Sequence, residues 1–262
     1  MNDAVLYEVA DGVATVTLNR PARRNALDEE LRDGLARCVA GIEADRAVRA
    51  VVLAGSPGAF CAGGDLKAIR SAGLDNEGWR ERMKSAHVWL ARLLSLDRAI
   101  VAAVDGPAFG AGFSLALAAD VVVASPRARF CLSFMRLGLV PDFGALYSLP
   151  RVVGVQRAKE LMLSAREVSA EEAKALGIVL ELVPQDQVLR RAQALAASFV
   201  QASPMAVSLV KRALAGGPAD LQTVLELEAN AQALCFGSAA HKAAVTRFLD
   251  KQPALFQWPT GD

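Results

Sequence analysis

The chain has 262 residues, 53% of them apolar, with 29 Lys and Arg against 28 Asp and Glu. That length fits one large α/β domain, or one domain with a helical extension, and the apolar share suffices for a sizeable core. The balanced charge excludes a general electrostatic surface for nucleic acid or anionic lipid, and leaves room only for a local basic patch that meets a phosphate-bearing ligand.

Residues 5–18 alternate apolar and polar side chains around Asp11-Gly12, which predicts a hairpin. Asp28 is placed to cap a helix running to about Asp45, with Leu31, Leu35, Val39 and Ile42 at helical spacing. A short apolar strand at 50–54 ends at Gly55, and residues 76–96 read as a helix whose start Gly78 weakens. A strand at 100–104, a glycine-rich turn, a small-residue helix from about Gly112 and a strand at 120–124 follow. Strands alternating with helices imply βαβ units and a largely parallel sheet. Strand–glycine turn–helix junctions leave N–H groups free, which favour negative charge.

From about Gln187 the pattern is helical throughout, with segments at 187–202, 204–215, 219–236 and 238–250. Pro204, Gly216-Gly217-Pro218 and Gly237-Ser238 punctuate them. The division is therefore a core over 1–186 and a helical C-terminal region over 187–262. Leu221, Val224, Leu225 and Leu227 form an apolar face that packs either on the core or on another subunit.

Cys38, Cys61, Cys131 and Cys235 make no CxxC pair and have mostly apolar neighbours. Reduced, mostly buried thiols and a cytoplasmic location are expected. His87 and His241 are too far apart for a helical metal pair, so no metal site is expected. The polar, acidic N-terminus predicts no signal peptide. Residues 106–119 lack charge but fall short of the ~20 a membrane span requires, and read as a buried strand–turn–helix.

Four segments carry the chemistry. They are Asn19-Arg20-Pro21-Ala22-Arg23-Arg24-Asn25-Ala26-Leu27, Phe60-Cys61-Ala62-Gly63-Gly64-Asp65-Leu66, Asp105-Gly106-Pro107-Ala108-Phe109-Gly110-Ala111-Gly112 and Gly138-Leu139-Val140-Pro141-Asp142-Phe143-Gly144. With Leu149-Pro150-Arg151-Val152-Val153-Gly154 and the closing Phe248-Leu249-Asp250-Lys251, they resemble, in order, the motifs of the crotonase superfamily, also called the enoyl-CoA hydratase/isomerase family. The resemblance covers nearly the whole chain. It implies an α/β spiral of ββα units with a helical C-terminal region, acyl-CoA thioester substrates, no separate cofactor, and assembly as a trimer or dimer of trimers.

The resemblance also assigns roles. The N–H groups of Ala62 and Ala111 would hold the enolate oxygen of a thioester, with Gly63, Gly64, Gly110 and Gly112 permitting the turns. Hydratases of the family carry two glutamates at the positions of Ser114 and Phe134, and neither residue here can act as a base near neutral pH. The remaining candidate base is Asp142. Narrower groups with an acid after this proline are the Δ3,Δ2-enoyl-CoA isomerases and the phenylacetate-pathway ring-epoxide isomerases. Burial beside Phe134, Phe143 and Leu139 is expected to raise the Asp142 pKa. Read locally, Pro-Asp-x-Gly is also ordinary turn chemistry. Ser114 either meets substrate or back-bonds within its helix.

For CoA, Arg23, Arg24 and Lys67 are candidates for phosphate contacts, and Ala26, Leu27, Gly63, Gly64, Asp65, Leu66, Gly110, Ser114 and Phe134 for the rest of the site. Asp65 serves alternatively as an N-cap. Lys251 and Phe256 are candidates for closing over a neighbour's CoA, and Trp79 and Trp89 for the acyl pocket or the core. The expected activity is isomerisation of a 3-enoyl-CoA to a 2-enoyl-CoA. Ring-epoxide isomerisation, hydration and non-catalytic acyl-CoA binding are the alternatives.

Overall fold

The computed structural model describes residues 4–217 and 220–260. Expectations for residues 1–3, Pro218 and Ala219 lie outside the described residues. β1 (Val5–Ala10) and β2 (Val13–Leu18) form the antiparallel hairpin. Asp11 and Gly12 are both left-handed, at φ 49° and 79°, as a two-residue turn matched to strand twist requires. α1 (Glu29–Ala44) begins where the Asp28 carboxylate accepts from the Leu31 N–H, and Leu31, Leu35, Val39 and Ile42 all face the core.

β3 (Ala50–Gly55) leads through the first glycine loop to α2 (Leu66–Ser71) and α3 (Asn76–Leu94). β4 (Ala99–Val104), β5 (Pro107–Phe109), α4 (Ala111–Ala116), β6 (Val121–Ala124) and β7 (Arg129–Cys131) follow. Then come α5 (Ala145–Val153), α6 (Val155–Ser164), β8 (Val168–Ser169), α7 (Ala170–Ala175) and β9 (Glu181–Leu182). The C-terminal helices are α8 (Val188–Val200), α9 (Pro204–Ala215), α10 (Leu221–Gly237) and α11 (Ala239–Leu249).

The large sheet has the order β1-β2-β3-β4-β6-β9, parallel throughout except for the β1–β2 hairpin. A second, shorter ladder runs beside it. Leu27 bridges Gly64, Cys61 bridges Ala108, β5 pairs with β7, and β7 pairs with β8. Successive turns of the chain give one strand to the large sheet and then a short extended piece to the second ladder. This is the expected α/β spiral. Its consequence for function is that the two glycine loops, 61–64 and 107–112, become neighbours although ~45 residues separate them in sequence.

The larger hydrophobic cluster lies on the face that carries α1, α3 and both glycine loops. The opposite face (Val13, Val52, Val101, Val123) is covered by α8 through Val188, Ala192 and Leu195. In contrast, α9, α10 and α11 bury no residue in the single chain, and Leu221, Val224, Leu225 and Leu227 are all exposed. The apolar face of α10 therefore does not pack on the core. Among the described residues no single helix is long and apolar enough to cross a membrane.

Candidate active site

The first glycine loop is held by the segment that precedes α1. The Ala62 N–H donates to Arg24 O at 2.9 Å, the Leu27 N–H to Gly63 O at 2.7 Å and the Asp65 N–H to Leu27 O at 3.2 Å. The Ala62 N–H is therefore already spent on a backbone bond and is not free to meet a ligand in this structure. In a parallel bridge the paired residue's own N–H points to the opposite side. Gly64 is that residue, and its N–H has no hydrogen-bond partner among the described residues. The free amide of this loop is thus that of Gly64, two positions on from the residue expected from sequence. The bonding alternation along 62–65, once Leu27 is known to pair with it, is the signal that identifies it.

The second candidate amide is that of Ala111. Ala111 is the first residue of α4 and its N–H has no acceptor within the helix. Gly110, at φ 51° and ψ −125°, makes the turn that a side chain would oppose. The two loops touch closely. A Cβ on Gly63 would lie 2.7 Å from Phe109 O, and one on Gly112 would lie 2.2 Å from Cys61 O. The Phe109 N–H donates to Cys61 O at 2.8 Å, and the Cys61 N–H to Pro107 O at 3.1 Å. Cys61 itself is wholly buried and burial pushes its thiol up to about 12, so it is not a nucleophile.

Asp142 stands just before α5, on a loop followed by two left-handed residues, Phe143 at φ 51° and Gly144 at φ 79°. A phenylalanine with positive φ is backbone strain, held here by packing. Phe143 is buried and meets Trp89 edge-on, with ring centroids 5.7 Å apart. Asp142 Oδ1 is buried with no hydrogen-bond partner among the described residues. Burial raises its pKa from 3.8 to about 6, and a hydrogen bond from its own N–H offsets this only in part. The apolar wall differs from expectation in one member. Phe134 and Phe143 are buried, but Leu139 is half exposed because it lies on the loop's outer side. Phe134 also reaches the second glycine loop, its Cζ 3.9 Å from where a Gly110 Cβ would be.

Ser114 is buried and its hydroxyl donates to Gly110 O at 3.3 Å. It back-bonds within its own turn rather than presenting itself as an acid or base. Asp65 takes the capping role. Its Oδ1 accepts from the Lys67 and Ala68 N–H groups at 2.9 and 3.0 Å, while Oδ2 pairs with Arg23 at 2.7 Å. The Ala68 N–H bond, with the Arg23 ion pair, holds its pKa below the usual range. Its carboxylate is therefore engaged in starting α2 and in pairing with Arg23. Replacing Asp65 by Ala should cost about 1–2 kcal/mol of stability, which thermal melts would register as a fall of several degrees, with kcat little changed.

Ala26 and Leu27 are buried in the loop bridge, whereas Arg24, Leu66 and Lys67 are exposed beside it. Lys251 is exposed, at φ 56°, beyond α11, and is not among the residues that meet at the glycine loops. Phe256 lies at the surface, 39% exposed. It packs on Phe199 of α8 at 5.9 Å, next to Trp258 at 5.7 Å from the same ring. Trp89 is core, as one reading expected, and Trp79 lies half-buried under Arg82. Asn25 and Ser56, given no role from sequence, prove to be buried at the centre of the first loop's support.

The family profile for enoyl-CoA hydratase/isomerase matches residues 8–259. A 1,2-epoxyphenylacetyl-CoA isomerase of Escherichia coli (strain K12) is 35% identical over 259 residues, covering 98% of this chain and 99% of the relative. A short-chain-enoyl-CoA hydratase of Clostridium acetobutylicum is 34% identical over 250 residues, covering 95% of each. The crystal structure of an enoyl-CoA hydratase/isomerase from Cupriavidus metallidurans CH34 superposes with a TM-score of 0.94 at 44% identity, over 100% of this chain and 99% of that one. With paired glycine loops on a ββα spiral and a match along almost its full length, the chain belongs to the enoyl-CoA hydratase/isomerase family, the crotonase superfamily.

Proposed function

We propose that this protein is an acyl-CoA isomerase that moves a double bond from position 3 to position 2 with Asp142 as the only acid–base group. The observation that carries this is the state of Asp142, a carboxylate whose Oδ1 is buried with no hydrogen-bond partner among the described residues and whose pKa is raised to about 6. A carboxylate of that basicity removes a proton from C2 of the thioester. Negative charge then collects on the thioester oxygen, where the Gly64 and Ala111 N–H groups would receive it. Two such donors are together worth several kcal/mol of barrier. Protonated Asp142 returns the same proton to C4, so the reaction balances without water or cofactor.

Hydration is disfavoured by Ser114 and Phe134. Addition of water needs groups that hold it, and here one position carries a back-bonded hydroxyl and the other a buried phenyl ring. Ring-epoxide isomerisation of a phenylacetyl-CoA derivative is the second reading. It is favoured by the Pro141-Asp142 pair and by the relative that bears the epoxyphenylacetyl-CoA isomerase name. In this proposal the substrate's CoA runs past Arg24 and the Ala26–Leu27 backbone. The chain assembles as a homotrimer or dimer of trimers through the exposed apolar side chains of α10, in the cytoplasm.

Solvent exchange tests the chemistry. Butyryl-CoA incubated with the enzyme in D2O should gain deuterium at C2, visible by proton NMR, while crotonyl-CoA gains no water. Rapid hydration of crotonyl-CoA would replace the proposal with hydratase activity. Absence of exchange despite binding would reduce the protein to an acyl-CoA binder.

A further inference from the structure

We infer that Asn25 is a positioning residue that sets the direction of the Gly64 N–H, with Ser56 as its partner. The inference rests on the reading of Gly64 as an enolate donor.

Asn25 is wholly buried and left-handed at φ 55°, directly after a left-handed Arg24 at φ 51°. Two consecutive left-handed residues that are not glycine need an outside hold, although Asn tolerates the conformation better than most. The Asn25 side chain supplies that hold with every group it has. Its Oδ1 accepts from the Arg20 N–H and from the Ser56 hydroxyl, both at 2.8 Å. Its amide nitrogen donates toward three carbonyls, Ala59 O at 2.8 Å, Ser56 O at 3.1 Å and Phe60 O at 3.3 Å. Those carbonyls can converge because Gly55 has no side chain. A Cβ there would lie 2.4 Å from both Ala59 O and Phe60 O.

The amide therefore ties residues 20–25 to residues 56–60, and each segment runs directly into one side of the Leu27–Gly64 bridge. Once Asn25 is seated, Arg24 O takes the Ala62 N–H and Leu27 takes both Gly63 O and the Asp65 N–H. The Ala62, Leu27 and Asp65 N–H groups are then all bonded, and the Gly64 N–H is left facing away from the bridge. A rotation of the Arg24–Asn25 backbone would release Ala62 and re-aim Gly64. Asn25 touches no reacting atom in this arrangement. It acts through the loop.

The test uses two variants of the full-length enzyme and a readout that packing alone does not move, the infrared carbonyl band of a bound acyl-CoA labelled with 13C at C1. Asn25→Asp keeps the acceptor oxygen but faces three carbonyls with an oxygen that cannot donate. Ser56→Ala removes one hydroxyl and leaves the three-carbonyl clamp. In wild type the band should lie below that of free acyl-CoA. Ser56→Ala should return it part of the way and lower kcat about 3- to 10-fold with KM changed less than about twofold, the split expected of an interaction made only in the transition state. Asn25→Asp should lower kcat about 100-fold. A folded Asn25→Asp enzyme with the wild-type band and kcat overturns the inference. If that variant does not fold, wild-type values in Ser56→Ala overturn it instead. An unshifted band in wild type itself overturns the donor pair, and the role of Asn25 with it, which is a different result from a shifted band that both variants retain.

Discussion

Asp142→Asn should lower kcat by about 10²- to 10⁴-fold, the usual contribution of a positioned acid–base group, and at the same time make the protein more stable above pH 6. Both effects have one cause. Burial raises the carboxyl pKa from 3.8 to about 6, so the folded state disfavours the charge that the unfolded chain accepts freely. Below pH 4 the group is protonated in both states and contributes nothing. Between pH 4 and 6 the unfolded chain loses its proton first and stability falls. Above pH 6 the full difference is present, at most about 3 kcal/mol. The neutral Asn side chain does not carry that cost. Thermal melts at pH 4 and pH 8 should therefore show little difference at the lower pH and a higher Tm for Asn at the higher one. The pH dependence of kcat/KM in wild type should rise tenfold per unit up to about pH 6 and level off above, since the base works only when ionised. An ordinary turn aspartate would show neither the activity loss nor the pH-dependent stabilisation, and that pair of negatives would remove Asp142 from the mechanism.

Gly112→Ala, by contrast, should damage the fold. The added Cβ would lie 2.2 Å from Cys61 O and 2.7 Å from Cys61 Cβ. Its nearest obstacle is backbone, and that backbone is fixed by the bonds joining Cys61 to Pro107 and Phe109. Either α4 moves out, carrying the Ala111 N–H with it, or the first loop moves and misdirects Gly64. Overpacking against an immobile neighbour typically costs 1–3 kcal/mol, and here a loss of about 3 kcal/mol or more is expected, with Tm down by roughly 6–12 °C and kcat reduced more than about 100-fold. Gly64→Ala is the matched comparison. Its Cβ meets the tip of Ile69 at 3.0 Å, a flexible atom that can move aside. That chain should fold with a stability change below about 1 kcal/mol. Calorimetry on the two variants checks the contrast. Equal melting temperatures would mean that the two loops are not packed as described.

The features legible in the sequence are those that neighbouring residues decide among themselves. Asp11-Gly12 makes its turn, Asp28 caps α1, and the apolar runs at 50–54 and 100–104 become central strands. Each depends on interactions spanning a few residues, so local composition suffices. The stretch from 125 to 186 was legible only as motifs. Its strands β7, β8 and β9 have two or three residues each, too few for any periodicity to register. The apolar stripe of α10 was visible, but whether it faces the core or solvent was not. α8 occupies the face of the sheet against which such a stripe would otherwise pack.

The amino-acid sequence alone supplied two glycine turns and one acid as candidates for a site, because glycine content and spacing are properties of the chain itself and the family resemblance sets Ser114 and Phe134 where hydratases carry glutamate. Which backbone amide of the first turn is available was decided only by tertiary structure. Ala62 and Gly64 are equally good donors as isolated peptides, and the choice between them falls to a bridge with residues 24–27, nearly forty positions away. The same holds for Asp65, drawn to the start of α2 and to Arg23, and for Asp142, whose basicity is set by the side chains that exclude water around it. Hydrogen-bond direction and desolvation are relations between distant segments, and they come into being only when the chain folds.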